Sequence, residues 1–482
     1  MTPLLSRRSV LAGFGAGVAA FVLPPLSAAR AGIREYTLKA SPAKARLVGP
    51  DGPETAVWAY NGATPGPVLR ARRGETLRVV VENGLAQPTT VHWHGLRLPN
   101  AMDGVPFLTQ DPVAPGGSFT YEFPCEDAGT YWYHPHFNSS EQVGMGLAGA
   151  IVIEDEAPPA VDRDILWVID DWRLTPDGAI APFGRGMHDF AHGGRLGNTV
   201  TVNGRVTDGV PVTVGERIRL RLVNTANARI FRLSFTGHRP WLVAIDGHPI
   251  EPRRFEEGQL VIGPGSRADL IIDMEGKPGT TYSVVDDSFE GVRYRLADLA
   301  YRSGRVEVLT KPERPAPAPL AANPLPEPDL AAATRLALTM EGGATGRMDR
   351  ATYKGQSLTL RELARGHGMF WSFNGVVHPP MHYGDAHHDP MFTFRKGESV
   401  VMTVRNQTDF HHPIHLHGLT FRVLSYDGKA APGRPWQDTV LLAPDGEAEI
   451  AFKADLAGDW MLHCHILEHQ KTGMMGFVRV IA

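Results

Sequence analysis

The 482-residue chain carries 48 basic and 52 acidic residues, a formal net charge of −4, and 43 % hydrophobic residues. That length suits about three domains with ample buried core, and a mildly acidic chain with no concentrated basic face argues against a nucleic-acid partner. Only two cysteines are present, Cys125 and Cys464, so no disulfide within the chain is possible if Cys464 is a metal ligand.

The first residues read as an address rather than a fold. Ser6-Arg7-Arg8-Ser9-Val10-Leu11 supplies twin arginines, an apolar run continues to Leu23, and Ala29-Arg30-Ala31 is a small-x-small cleavage site. Together they fit a Tat export peptide over residues 1–31. The run is too short to span a bilayer comfortably and no later stretch approaches that length. The mature chain is therefore expected to lack a membrane span and to reach the periplasm through the Tat machinery. Losing Arg7, Arg8 and Arg30 and no acid takes the formal charge from −4 to −7.

An internal repeat sets the architecture. Gly74-Glu75-Thr76-Leu77-Arg78-Val79-Val80-Val81-Glu82-Asn83 recurs from Gly215 to Asn224 and again from Gly397 to Asn406. Each copy is a turn glycine followed by a strand of period two that ends at Asn. Nine residues beyond the Asn stand His92, Leu233 and His415, and two further on His94, Phe235 and His417. A second strand repeats near the end of each unit. Gly129-Thr130-Tyr131-Trp132-Tyr133 leads to His134-Pro135-His136, and Gly458-Asp459-Trp460-Met461-Leu462 leads to His463-Cys464-His465. The middle copy, Gly279-Thr280-Thr281-Tyr282-Ser283, leads to Val284-Val285-Asp286 and has no imidazoles, which makes the middle unit a spacer between two ligand-bearing edges. Short strands with Gly, Pro and Asn turns in units of about 150 residues fit antiparallel β-sandwiches. A two-sheet lectin-like fold would suit the composition equally but leaves the repeated His pairs without a role. Boundaries are expected to give domains over 32–157, 158–312 and 330–482, with a Pro-rich linker over 313–329. Helix is sparse, Leu358 to Ala364 being one expected short element.

Four His-x-His pairs, at residues 92/94, 134/136, 415/417 and 463/465, each offer two imidazoles on one face of an extended strand. Eight imidazoles are too many for one zinc ion, and two zinc sites would leave Cys464 unexplained. Cys464 points away from His463 and His465, so one stretch can serve two metal sites back to back. On its side are His469 and Met474. A thiolate with two imidazoles and a distant thioether is the ligand set of a blue-copper electron-transfer centre, so one further imidazole is needed from elsewhere.

Through His92-Trp93-His94-Gly95, Tyr133-His134-Pro135-His136, His412-Pro413-Ile414-His415-Leu416-His417-Gly418 and the terminal stretch from His463 to Met475, the chain resembles the multicopper oxidases, which include laccases and bacterial cuprous oxidases. The resemblance implies an all-β chain of three cupredoxin-like Greek-key domains holding four copper ions. It implies a type 1 copper on His412, Cys464, His469 and Met474, a type 2 copper on His92 and His415, and a type 3 pair on His94, His134 and His465 and on His136, His417 and His463. It also implies one-electron oxidation of a donor near Cys464 coupled to four-electron reduction of O2 to water. Asp103 matches an acidic position that in the family helps move protons. The residue after the last imidazole is Gln470, where many bacterial cuprous oxidases have an acid. An amide cannot supply a proton in that way, so either Asp103 or Glu468 is expected to compensate or turnover is expected to be slower.

The donor is less defined. Met369, Met381 and Met391, interleaved with His378, His382, His387 and His388, could bind a substrate Cu(I) or form a polar surface loop. Phe410 and His411, with no Met, precede His412, so a phenolic or other organic donor is as well supported as Cu(I). A periplasmic copper-binding tolerance protein without turnover uses the same residues and is the alternative. A two-domain copper nitrite reductase has two repeats and no trinuclear cluster, which disfavours it. Cys125 is expected to be a buried, unreactive thiol.

Overall fold

The computed structural model describes residues 21–22, 32–155, 157–184, 187–207, 209–289, 291–303, 314–345, 347–380 and 389–482. Of the export segment only Phe21–Val22 falls within them, its backbone paired with Ile165 and Leu166; the twin arginines and the cleavage site lie outside the described residues. No helix among the described residues is long and apolar enough to cross a membrane.

The strands form three successive two-sheet sandwiches of cupredoxin-like Greek-key type. Four-stranded sheets make up the first, while the second and third each pair a seven-stranded with a five-stranded sheet. In every copy the opening strand runs parallel to the strand that ends at the repeat Asn: Ile33–Ala45 beside Thr76–Asn83, Arg163–Trp172 beside Arg217–Asn224, and Thr334–Gly342 beside Ser399–Asn406. Parallel neighbours cannot be joined by a hairpin. Between them the chain crosses to the facing sheet, through Leu69–Arg72, Val210–Val212 and Phe392–Arg395.

The repeat Asn has a structural cause. Asn83 donates through Nδ2 to the carbonyls of Gln87 and Val113 and accepts from the Leu85 N–H. Asn224 does the same with Arg229, Ile262 and Ala226, and Asn406 with Phe410, Ala443 and Thr408. One buried amide thus satisfies three backbone groups of the loop that would otherwise be stranded away from water. That loop delivers the next strand, which is the one bearing His92 or His415.

The ligand strands meet in matching register, His92 opposite His134 in the first copy and His415 opposite His463 in the third. In the middle copy Leu233 stands opposite Asp286, two residues beyond the Val284 that the repeat alignment puts there. The ladder between Phe231–Phe235 and Thr281–Phe289 is itself regular; the register shifts of this unit, after Val284 and Asp286, fall on the other side of Thr281–Phe289, in its hairpin with Val292–Tyr301.

One continuous buried apolar cluster joins the first and third sandwiches, from Leu38 and Trp93 to Leu462 and Val480, whereas the second has its own core around Leu220 and Phe231. The expected helix begins later than its sequence pattern. Gln356–Thr359 is still a strand; Leu360–Glu362 is the helix, and Leu363–His367 continues it as a π-turn. A capping box sets the start, Thr359 Oγ1 accepting from the Glu362 N–H while the Glu362 carboxylate accepts from the Thr359 N–H. Residues 314–329 form no strand, and Asn323 there both accepts from and donates to the Ala128 backbone of the first sandwich.

Candidate metal centre

Eight histidines from the first and third sandwiches converge on one interface. His92 stacks on His417 with ring centroids 3.8 Å apart, His94 on His415 at 3.7 Å, and His136 lies 5.1 Å from His463. His465 stands 5.0 Å from His94 and 5.3 Å from His134. All eight are buried. Burial first, then the neighbouring imidazoles, pushes His134, His136, His417, His463 and His465 well below the usual imidazole range. Those five rings are therefore neutral, the state in which imidazole binds metal.

Outer acceptors fix which nitrogen is bare. Each Nδ1 of His92, His134, His415 and His463 lies against a backbone carbonyl, of Asp103, Pro135, Asp438 and Cys464 respectively, at 2.8–3.2 Å. A carbonyl only accepts, so Nδ1 carries the proton and Nε2 keeps a lone pair. His417 Nδ1 donates to the Asp103 carboxylate at 3.0 Å. His94 is reversed, with Nε2 against Asp438 Oδ1 at 3.1 Å and Nδ1 left bare. The inward nitrogens of His92, His94, His134, His136, His415 and His465 are buried without a hydrogen-bond partner among the described residues. His417 Nε2 and His463 Nε2 face each other at 3.1 Å. With both protons committed outward, that contact sets two lone pairs against each other, an arrangement a cation between them would turn from repulsive to attractive. The donor set is all imidazole, which suits copper, zinc, iron or nickel.

Cys464 ends the strand Gly458–Cys464 on the opposite face. Its Sγ lies 3.4 Å from His412 Nδ1 and 3.7 Å from His469 Nδ1, and those two nitrogens are 3.1 Å apart. The outward nitrogens are engaged, His412 Nε2 with Thr408 Oγ1 at 2.8 Å and His469 Nε2 with the His192 carbonyl at 2.5 Å. The Ile466 N–H donates to Sγ. Met474 is fully buried, and its carbonyl accepts from the Cys464 N–H. Burial raises the Cys464 thiol, and brings His469 down to about 3. A thiol so raised needs a bound cation to lose its proton. One thiolate and two imidazoles with a buried Met nearby fit copper.

Several contributors carry no sequence signal. Asp438 is buried against His94 and His415, but its carboxylate also takes both ends of the fully buried Arg267 guanidinium at 2.8 and 2.6 Å. Burial alone would raise Asp438; Arg267 and His94 hold it well below the usual carboxylate range. It is an anionic acceptor that orients His94 rather than an inward-facing ligand. Asp103, expected near the cluster, does reach it, through His417 and His92. Glu468 faces the second sandwich instead, accepting from the Arg195 N–H and the Asn227 amide. Gln470 lies 3.5 Å from His136 Nδ1 and accepts from Ser139 Oγ. Gln470, His136 and Ser139 line a cavity of about 340 Å³ walled by Val105, Phe107, Met461 and Met475. Met369 belongs to the buried apolar cluster with Met348 and Leu363, which removes it from any exposed copper-binding surface. Met391 is half-buried and His378 packs nearby beside Gly476; Met381, His382, His387 and His388 lie outside the described residues. Cys125 is buried, and burial lifts its thiol to about 12, as suits an inert side chain.

Comparison with known proteins places the chain in context. Three sequence profiles of the multicopper oxidase family match residues 43–158, 166–303 and 359–481. The multicopper oxidase MmcO of Mycobacterium tuberculosis is 30 % identical, the match covering 91 % of this chain and 85 % of that one. The crystal structure of a multicopper oxidase from Pseudomonas thermotolerans superposes with a TM-score of 0.79 at 35 % identity, over 93 % of this chain and 99 % of the other. A Campylobacter jejuni multicopper oxidase described as a metallo-oxidase gives 0.74 at 27 % identity, over 93 % and 92 %.

Proposed function

The chain belongs to the multicopper oxidase family and is an oxidoreductase, and from that premise we propose that it couples one-electron oxidation of a phenolic donor or Cu(I) beside Cys464 to four-electron reduction of dioxygen to water. In this reading His412, Cys464, His469 and Met474 would hold a type 1 copper, and His92 with His415 a type 2 copper. His94, His134 and His465, and His136, His417 and His463, would hold the type 3 pair. The carrying observation is the pair of facing Nε2 lone pairs on His417 and His463 one residue from a thiol that points the other way. Bound copper would supply one-electron acceptance from the donor and the electrons that dioxygen needs.

The chain's own residues provide the rest. His463 Nδ1 donates to the Cys464 carbonyl at 2.8 Å, so the thiol and the neighbouring imidazole are joined both by covalent bonds and by one hydrogen bond. Asp103, 1 % exposed, holds the proton on His417 Nδ1 and is the carboxylate placed to pass protons towards the cluster. The largely apolar cavity beside His136 gives small, apolar dioxygen a place to wait. The three sandwiches support the division into 32–157, 158–312 and 330–482, and the twin-arginine segment supports export to the periplasm. Oxygen uptake by copper-replete protein with a phenol and with Cu(I) tests the reading: turnover with at least one is expected. Four bound coppers with uptake from neither would leave a copper-binding tolerance role.

A further inference from the structure

The helix Met187–Ala191 and His192 close the outer face of the Cys464 centre. Their backbone is pinned there. Phe190 O accepts from the Trp371 indole at 2.6 Å, Ala191 O from the Ala344 N–H at 2.7 Å, and His192 O from His469 Nε2 at 2.5 Å. Asp189 takes both ends of the Arg173 guanidinium. His412, Cys464, His469 and Met474 are each 0 % exposed, so a donor cannot touch any ligand directly, and this segment is one of the covers it can meet instead.

On the outside of the segment the rings of His188 and His192, four residues apart on one turn, stack with centroids 4.3 Å apart and planes 8° from parallel. His188 is exposed and His192 half-buried. His192 Nδ1 is itself buried with no hydrogen-bond partner among the described residues, and Met187, 61 % exposed, adds a thioether to the same turn. An imidazole without a hydrogen-bond partner on one nitrogen offers that nitrogen as a ligand, and the exposed His188 ring is free to turn so that both rings could reach one ion. Imidazole and thioether together favour a soft, monovalent copper ion.

We propose that His188 and His192 form a docking site for a Cu(I) donor, one residue's carbonyl away from His469. This rests on the functional reading above and names its donor. The docked ion loses one electron and leaves as Cu(II). The electron passes through the His192 carbonyl to His469 and the Cys464 centre, and four such oxidations with four protons turn one O2 into two waters.

The test uses copper-replete protein whose resident coppers are first reduced, so that added Cu(I) cannot be oxidised by them, with Cu(I) then supplied anaerobically in competition with a bicinchoninate chelator, and the exposed change His188→Gln. Wild type is expected to take up one Cu(I) beyond its resident coppers, and the variant none. The ratio of kcat/KM for Cu(I) to that for a phenol should fall at least about tenfold in the variant, and further in His188→Gln/His192→Gln. An extra equivalent that is absent from wild type, retained by the variant, or lost without a change in that ratio overturns the proposal. A protein with no absorption band near 600 nm overturns the functional reading as well, whereas a blue protein that fails the Cu(I) tests overturns only the docking site.

Discussion

His417 shows at the scale of one residue how the chain decides what a histidine does. Its Nδ1 gives its proton to Asp103 and its Nε2 is aimed inward, so the carboxylate, not the imidazole, fixes the tautomer. Asp103→Asn preserves an acceptor oxygen but removes the group that can take up and release a proton. Copper content and the band near 600 nm should survive in that variant while kcat falls about a hundredfold or more; a kcat within twofold of wild type would remove Asp103 from proton handling. Gln470 offers the converse change. Within 3.5 Å of His136 Nδ1 and at the wall of the cavity, Gln470→Glu installs an acid, and kcat at neutral pH should rise severalfold, by about 1 kcal/mol of barrier. A flat or reduced kcat, measured by oxygen uptake with a phenol, would show that protons already arrive freely by another route.

Among elements, the second sandwich is more than the spacer its missing ligands suggest. From it Arg267 reaches, fully buried, into the third sandwich to grip Asp438, and through Asp438 it steadies His94 of the first. Removing one partner of such a pair strands the other charge away from water. Arg267→Leu should therefore destabilise the chain by about 3–5 kcal/mol and loosen copper, measured by denaturant unfolding and metal content; a change under about 1 kcal/mol would mean the pair is not holding the three sandwiches in register. Gly104 makes a related point about loops: at φ +80° an added Cβ would lie 1.9 Å from the Val91 carbonyl, against the strand that carries His92.

These elements also show which parts of the site can be read from sequence. The His-x-His pairs and Cys464 are legible because strand period two ties neighbouring letters to one face, and the repeated Gly and Asn mark where those strands begin and end. Asp438, Arg267, Thr408 and His192 are not. Asp438 meets His94 across 344 positions, a lone Asp or Thr has no period, and the His192 contribution is a backbone carbonyl.

At the scale of the molecule, the first and third sandwiches share one apolar core and close ten mostly neutral imidazoles away from water. Histidines held below their ordinary range bind fewer protons in the folded chain than in the unfolded one, whose imidazoles titrate near 6.5. Their contribution is present above that pH and is lost as pH falls through it. Buried carboxyls such as Asp246, raised to about 7 by burial and by Asp438, act in the opposite sense but are fewer. The Tm of copper-free protein should accordingly fall steadily from about pH 7 to 5; a Tm that is flat or rises over that window would contradict the burial of neutral imidazoles. The central claim, that one strand links a donor face to an oxygen face, is tested most directly by following the absorption near 600 nm of copper-replete protein through a donor and then air. The band should bleach when a donor is added without oxygen and return when oxygen is admitted, and Cys464→Ser should show no band at any stage. A band that stays bleached in air, or that persists in Cys464→Ser, would contradict the account.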